Sequence, residues 1–294
     1  EIQTYEGLIQ TIEQETAGEQ AMAPLLTRLG NLYFSSQDYP KAINAFIRAI
    51  IIREFDKSGT SFRTADLGWH LIEIGNSLYR LQDYDLAEYP YNIALKAFSS
   101  VEGPEGIEGM ITATNNIALC KLNAGNPEGA LPVFAKTLKM SQKCGEAQRI
   151  YVTQIYIANC YLEMQQAEKC ISLLKNPALI ALAESESPLN MFRLETLGDA
   201  YYRSGNTDSA ISVYTAITSV NAVNELASNI AEASIRLSRH YLKVNDPDKA
   251  LTYALKAEKS LANTSNSALQ MSADEILYGI YKSRGDYRAA LRYY

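Results

Sequence analysis

Leu29-Gly30-Asn31-Leu32-Tyr33, followed by Gln37-Asp38-Tyr39, Ala42, Phe46 and Ala49, sets a frame that the rest of the chain repeats. It returns as Ile74-Gly75-Asn76-Ser77-Leu78, Gln82-Asp83-Tyr84, Ala87, Tyr91 and Ala94, and again as Leu197-Gly198-Asp199-Ala200-Tyr201, Gly205-Asn206, Ala210 and Tyr214. The last copy has Tyr281, Gly285-Asp286-Tyr287, Ala290 and Tyr294. Weaker copies lie between: Ala118, Gly125-Asn126-Pro127, Ala130 and Phe134; Ala158, Tyr161, Cys170 and Leu174; Ser238, Tyr241, Asp246-Pro247, Ala250 and Ala254. The position of Gly30 thus recurs at 75, 118, 158, 198, 238 and 278, at spacings of 45, 43 and then four of 40. Self-similarity at such a period is the signature of a repeat array, which grows along one dimension.

Each element of the frame has a physical reason. Twelve residues after a small side chain at 30, 75, 118, 158, 198 or 238 comes a second at 42, 87, 130, 170, 210 or 250, as two closely crossing antiparallel helices require. The aromatic three places after the first small residue shares its helical face. Asp38, Asp83, Asn126, Asn206, Asp246 and Asp286 occupy the turn, where short polar side chains cap a second helix. Pro127 and Pro247 fall in the first turn after their caps, where the missing N–H is harmless. The unit therefore spells helix, tight turn, helix.

This pattern resembles the tetratricopeptide repeat family, most fully at residues 27–50 and 72–95, and the resemblance extends over about residues 23–294. It implies an all-α fold, a right-handed α-α superhelix of about seven helix pairs. The family unit is about 34 residues, so a unit of 40 predicts helices lengthened to about 15–17 residues. Residues 1–22, with Ile2, Leu8, Ile9 and Ile12, read as an N-terminal capping helix, and 23–294 as one continuous solenoid whose last repeat is cut at Tyr294. That ending reads as a further segment following in the native protein, or as an apolar face available to a homodimer. Residues 56–62 and the glycine-rich 101–109 read as loops after the first two repeats. The repeat with Gln165-Gln166-Ala167 lacks the usual turn residues, and Pro177 should shorten its second helix.

Composition narrows the function. The chain has 294 residues, 47% hydrophobic and 20% charged, with a formal net charge of −6. That balance suits a folded body, and the acidity disfavours direct contact with nucleic acid. No run of 18 apolar residues exists to span a bilayer. Cys120, Cys144, Cys160 and Cys170 form no CxxC pair, and with only His70 and His240 beside them they read as buried small hydrophobes without a metal. No phosphate-cradling GxxxxGK, GxGxxG or HExxH occurs, so neither a cofactor nor an enzymatic activity is expected. His240, between Arg239 and Tyr241, reads as a surface or packed histidine, and Trp69 as a packing residue, as do most of the twenty tyrosines. The compartment stays open: cytoplasmic, or periplasmic if a leader has been removed.

What remains is binding. In the tetratricopeptide family the first helices of successive pairs line the concave surface, which implies groove positions at Asn31, Asn76, Asn159, Asp199 and Arg239, directly after the small residue. Asn116, Arg236, Arg80, Arg203 and Lys243 lie within one turn of that position, with Tyr79 and Tyr202 beside them. An amide offers both donor and acceptor to an extended peptide, while Arg203, Arg236, Arg239 and Lys243 form a basic cluster suited to an acidic one. The expected function is a protein- or peptide-binding module, the sensory or scaffolding region of a bacterial signal-transduction or transcription-regulatory protein. A standalone adaptor, and the recruiting arm of an enzyme with its catalytic domain elsewhere, are the alternatives.

Overall fold

The computed structural model describes residues 1–15, 19–54, 64–182, 187–220, 224–264 and 266–294. Among these residues the α-helices are α1 (Ile2–Glu15), α2 (Glu19–Ser35), α3 (Tyr39–Glu54), α4 (Thr64–Arg80), α5 (Tyr84–Phe98), α6 (Pro104–Asn123), α7 (Pro127–Cys144) and α8 (Ala147–Glu163). They continue as α9 (Ala167–Leu174), α10 (Pro177–Ile180), α11 (Pro188–Arg203), α12 (Thr207–Ser219), α13 (Ala227–Lys243), α14 (Pro247–Leu261), α15 (Ser267–Ser283) and α16 (Tyr287–Ala290). No strand occurs among them. The fold is all-α, and consecutive helices pair as the frame expects: α2 with α3, α4 with α5, α6 with α7, α11 with α12, α13 with α14 and α15 with α16. The chain forms two compact units, residues 1–153 and 154–294. The loop expected at 56–62 lies outside the described residues.

The turns inside the pairs are built alike. The second residue after each first helix has positive φ: Gln37, Gln82, Gly125, Gln165, Gly205, Asn245 and Gly285. In the first repeat its N–H reaches back to Phe34 O, and the next N–H, of Asp38, to Tyr33 O. The same two bonds close the turns at Gln82, Gly125, Gln165, Asn245 and Gly285, satisfying carbonyls that the helix end leaves open. The residue after that then caps the second helix. Asp83, Asn126, Asn206, Asp246 and Asp286 each accept the N–H three residues on. One residue ends a helix and its neighbour starts the next.

In three repeats the glycine of the first helix sits under an aromatic ring of the second. A Cβ placed on Gly30 would lie 2.7 Å from Phe46, on Gly75 2.5 Å from Tyr91, and on Gly198 2.5 Å from Tyr214. All three rings are buried. The small side chain is thus needed for a ring sixteen residues later, more than for the second small residue twelve later. Filling the contact would force ring or helix to move, at about 1–3 kcal/mol.

The glycine-rich stretch 101–109 differs from the expected loop. Only its first residues lie outside helix, and α6 starts at Pro104 behind Gly103, whose φ is +87°. Proline suits the first helical turn, and the two later glycines serve close approach. Gly106 lies against the Val101 carbonyl, and Gly109 packs on the Phe98 ring from one side while Gly68 of α4 packs on it from another. Trp69 meets the same ring edge-on at 4.9 Å, a packing role. Helix-breaking composition here reflects crowding around one phenyl ring.

In residues 154–294 the expected irregular repeat is found. Helix α9 has eight residues, its N-cap Gln166 makes no side-chain cap bond, and Asn176 with Pro177 opens the short α10. The early end of α9 is satisfied from α11. Arg193, only 7% exposed, donates from Nη1 to Leu174 O (2.9 Å) and from Nε to Asn190 Oδ1 (2.9 Å). Cys120, Cys160 and Cys170 are buried thiols, pushed up to about 12 chiefly by desolvation. Cys144 is exposed, against expectation, because it ends α7 beside the left-handed Gly145.

Candidate functional site

Four of the expected binding positions, Asn76, Asn116, Asp199 and Arg236, hold neighbouring repeats together. In residues 1–153 the Tyr91 hydroxyl donates to Asn76 Oδ1 (2.8 Å), which also accepts from Asn116 Nδ2 (3.1 Å). Asn76 Nδ2 donates to Glu73 Oε2 (3.3 Å). In residues 154–294 the corresponding frame positions carry charge. The Tyr214 hydroxyl donates to Asp199 Oδ1 (2.5 Å). Arg236 grips the same carboxylate with both arms of its fork, Nε to Oδ1 (2.7 Å) and Nη2 to Oδ2 (2.8 Å), and its Nη1 pairs with Glu232.

The electrostatics follow from partial burial. Burial opposes the charge of Arg236, but the hydrogen bonds and charge of Asp199, with the charge of Glu232, hold its pKa above the ordinary value. Desolvation pushes the Tyr214 hydroxyl up, as do the charge and hydrogen bond of Asp199, so it remains a donor. Glu195, one turn before Asp199, is raised to about 7 by burial, against the Asn229 hydrogen bond and the charge of Arg236 that favour its ionised form. Asn229 Nδ2 donates to its Oε1 at 3.1 Å.

The other expected positions are placed differently from one another. Arg203 is tied to the end of α8, donating to Leu162 O (3.1 Å) and Glu163 Oε1 (2.9 Å). Tyr79 accepts from Asn123 Nδ2 (2.9 Å) and meets Tyr84 edge-on. Asn31 and Arg80 are exposed and Asn159 is half-buried, none of them at the cleft described next. Asp199, Tyr202, Arg236, Arg239 and Lys243 come together.

These five line a cleft of about 300 Å³ among α11, α12 and α13. Ala210, Ile211, Tyr214 and Leu237 supply its apolar lining. Tyr202, 39% exposed, stands at its side with Lys243 Nζ over the ring at 5.7 Å and His240 edge-on to it. Arg239 and Lys243 are exposed and one turn apart on α13, and among the described residues neither has a carboxylate partner. His240 also lines the cleft, and its buried Nδ1 has no hydrogen-bond partner. The sequence reading took His240 as a surface or packed histidine and passed over Ile211 and Leu237. Their signal was register: His240 lies between the two free cations, and Ile211 follows the second small residue of its repeat. A larger cleft of about 610 Å³, lined by α1, α2 and α3 with Glu6, Gln10, Lys41 and Arg48, was also missed, because α1 stands outside the repeating frame.

Residues 195–267, which include every residue lining this cleft, match the sequence family described as tetratricopeptide repeat. That segment carries tetratricopeptide repeat sequence. A search of curated proteins gave no match. Among solved structures the chain is similar to the apo form of RapI, at 17% identity and a TM-score of 0.68 over 99% of this chain and 77% of that one. It is also similar to a Rap protein complexed with competence and sporulation factor, at 15% identity and a TM-score of 0.57 over 98% and 77%. A third likeness is to a signal transduction ATPase with a tetratricopeptide repeat sensor from Pyrococcus horikoshii, at 15% identity and a TM-score of 0.62 over 98% and 42%. At such identities the likeness is one of fold. Among the described residues no helix is long and apolar enough to cross a membrane.

Proposed function

We propose that this tetratricopeptide-repeat chain is a protein- or peptide-binding module of a regulatory protein, and that the cleft on α11–α13 is where its partner is held. The observation that carries the reading is the pairing of an apolar cleft with exposed, uncompensated cations. In a chain of net charge −6, Arg239 and Lys243 stand one turn apart without a carboxylate, beside buried Leu237 and half-buried Ile211. Two like charges at that spacing repel in the free helix, by a few tenths of a kcal/mol. Lys243 gains something from the helix C-terminus and from the Tyr202 face. Arg239, a turn earlier, has neither, which a partner would supply.

A regulatory setting is supported by fold likeness to a Rap protein complexed with a factor and to a signalling ATPase whose repeat region is termed a sensor. The binding reading is tested by selecting peptides on the full chain from a displayed library and measuring each by fluorescence anisotropy. Selected peptides should lose at least tenfold in affinity to Arg239→Glu or Tyr202→Ala, with circular dichroism unchanged. Unchanged affinity for both variants would remove the cleft from the binding surface.

A further inference from the structure

We infer that the cleft on α11–α13 is specific for one kind of ligand feature: a single apolar side chain carrying a carboxylate within a few ångströms of it. This rests on the cleft being the binding site and adds the chemistry of the ligand. Its size is the first argument. At about 300 Å³ it lies at the lower limit of small-ligand sites, room for one large side chain and too little for a helix or a strand. The lining is the second. Ala210, Ile211 and Leu237 offer no hydrogen bonds, so what enters must be apolar or lose its hydration uncompensated.

Charge is the third argument. Every charged group around the cleft has a definite state of pairing. Asp199 is saturated by Tyr214 and both arms of Arg236, and Arg236 is further neutralised by Glu232. That ionic block presents no net demand to a ligand. Arg239 and Lys243 remain, both exposed and on one face of α13, and an anion between them would meet two donors without displacing an existing ion pair. A cationic ligand would meet repulsion from both and would have to compete with Arg236 for Asp199. His240 also lines the cleft, and its Nδ1 is buried without a hydrogen-bond partner among the described residues. The ligand is therefore an acidic peptide element, with its carboxylate at the Arg239–Lys243 edge and its apolar side chain against Leu237.

Fragments test this without knowledge of the natural partner. N-acetylphenylalanine carries an apolar side chain and a carboxylate, N-acetylphenylalaninamide lacks the charge, and N-acetylserine lacks the apolar body. Each is titrated into the 15N-labelled full chain, following backbone amides by NMR. The expected result is saturable shifts at Leu237, Arg239, His240 and Lys243 with N-acetylphenylalanine, at a Kd on the order of 1 mM. Affinity should fall at least fivefold with the amide and with N-acetylserine, and at least fivefold for the acid in the Arg239→Gln, Lys243→Gln double variant. Both cations are exposed, so this variant should keep its fold, which the unchanged remainder of its spectrum verifies. If acid and amide bind the cleft equally, the carboxylate assignment is overturned while the cleft stands. If none of the fragments shifts the α13 amides, the cleft and its assigned chemistry fall together.

Discussion

Asn76, Tyr91 and Asn116 in residues 1–153, and Asp199, Tyr214 and Arg236 in residues 154–294, occupy the same places in the repeat and make the same pattern of contacts. A tyrosine of the second helix donates to the residue after the small one, which also accepts from the first helix of the following repeat. One version is neutral and the other ionic. The comparison teaches that this position first joins repeats, and that its chemistry decides what else the surface can do. An asparagine pair leaves a neutral wall. An Asp–Arg pair absorbs its own charge and leaves the next two cations, Arg239 and Lys243, as the unpaired ones.

The largest expected difference between the two regions follows from removing the central acceptor. Asp199→Ala strands Arg236 with only Glu232 and leaves Tyr214 without its acceptor, and should cost about 2–4 kcal/mol. Asn76→Ala removes the bonds to Tyr91 and Asn116 and the longer one to Glu73, breaks no ion pair, and should cost about 1–2 kcal/mol. Urea unfolding of both variants compares them, and equal losses would break the distinction. Smaller, and equal in the two regions, should be Gly75→Ala and Gly198→Ala at about 1–3 kcal/mol each, since both meet a tyrosine ring at the same 2.5 Å. A marked inequality in the same unfolding assay would show that the ionic version also stiffens the ring beneath it.

A pH effect sharpens the comparison further. Glu195 has a folded-state pKa of about 7, above its ordinary value, so between about pH 4.5 and 7 the folded state holds more protons than the unfolded one. Stability from this group is therefore greatest at low pH and is lost as pH rises through 7. Glu195→Gln should raise stability at pH 8 by on the order of 1 kcal/mol and leave it nearly unchanged at pH 4, read from melting curves across that range. The matching place in the neutral version is Ile72, which cannot titrate. The smallest effect is in the turns. Gln82 holds the positive φ that Gly205 holds in the other region, and Gln82→Gly should stabilise by about 0.5–1 kcal/mol in thermal unfolding.

The parts of the fold legible in the sequence were those set by local stereochemistry. Asp83, Asn126 and Asp246 cap helices because of what a short polar side chain can reach, and Gly75 and Gly198 stand where a ring needs room. The stretch 101–109 misled because three glycines close in sequence suggest a loop. Only the position of Phe98 shows that Gly109 is there to let two helices meet. Of the candidate site, the residue types were legible but not their pairing. Arg203, Arg236, Arg239 and Lys243 look alike in the sequence, and which are free depends on partners far along the chain. Arg236 meets Asp199 across 37 residues and Arg203 meets Glu163 across 40, close to the repeat period itself. Once the frame is set, charge pairs at that separation are the ones to seek.

The most direct test is to reverse exposed cations in each of the two regions and measure binding of one selected peptide by anisotropy. Arg239→Glu with Lys243→Glu should reduce affinity at least thirtyfold, whereas Arg80→Glu, on the first helix of an earlier repeat, should change it less than twofold. A peptide that tolerates the first pair and is lost with Arg80→Glu would place the binding face on the neutral region and contradict the assignment.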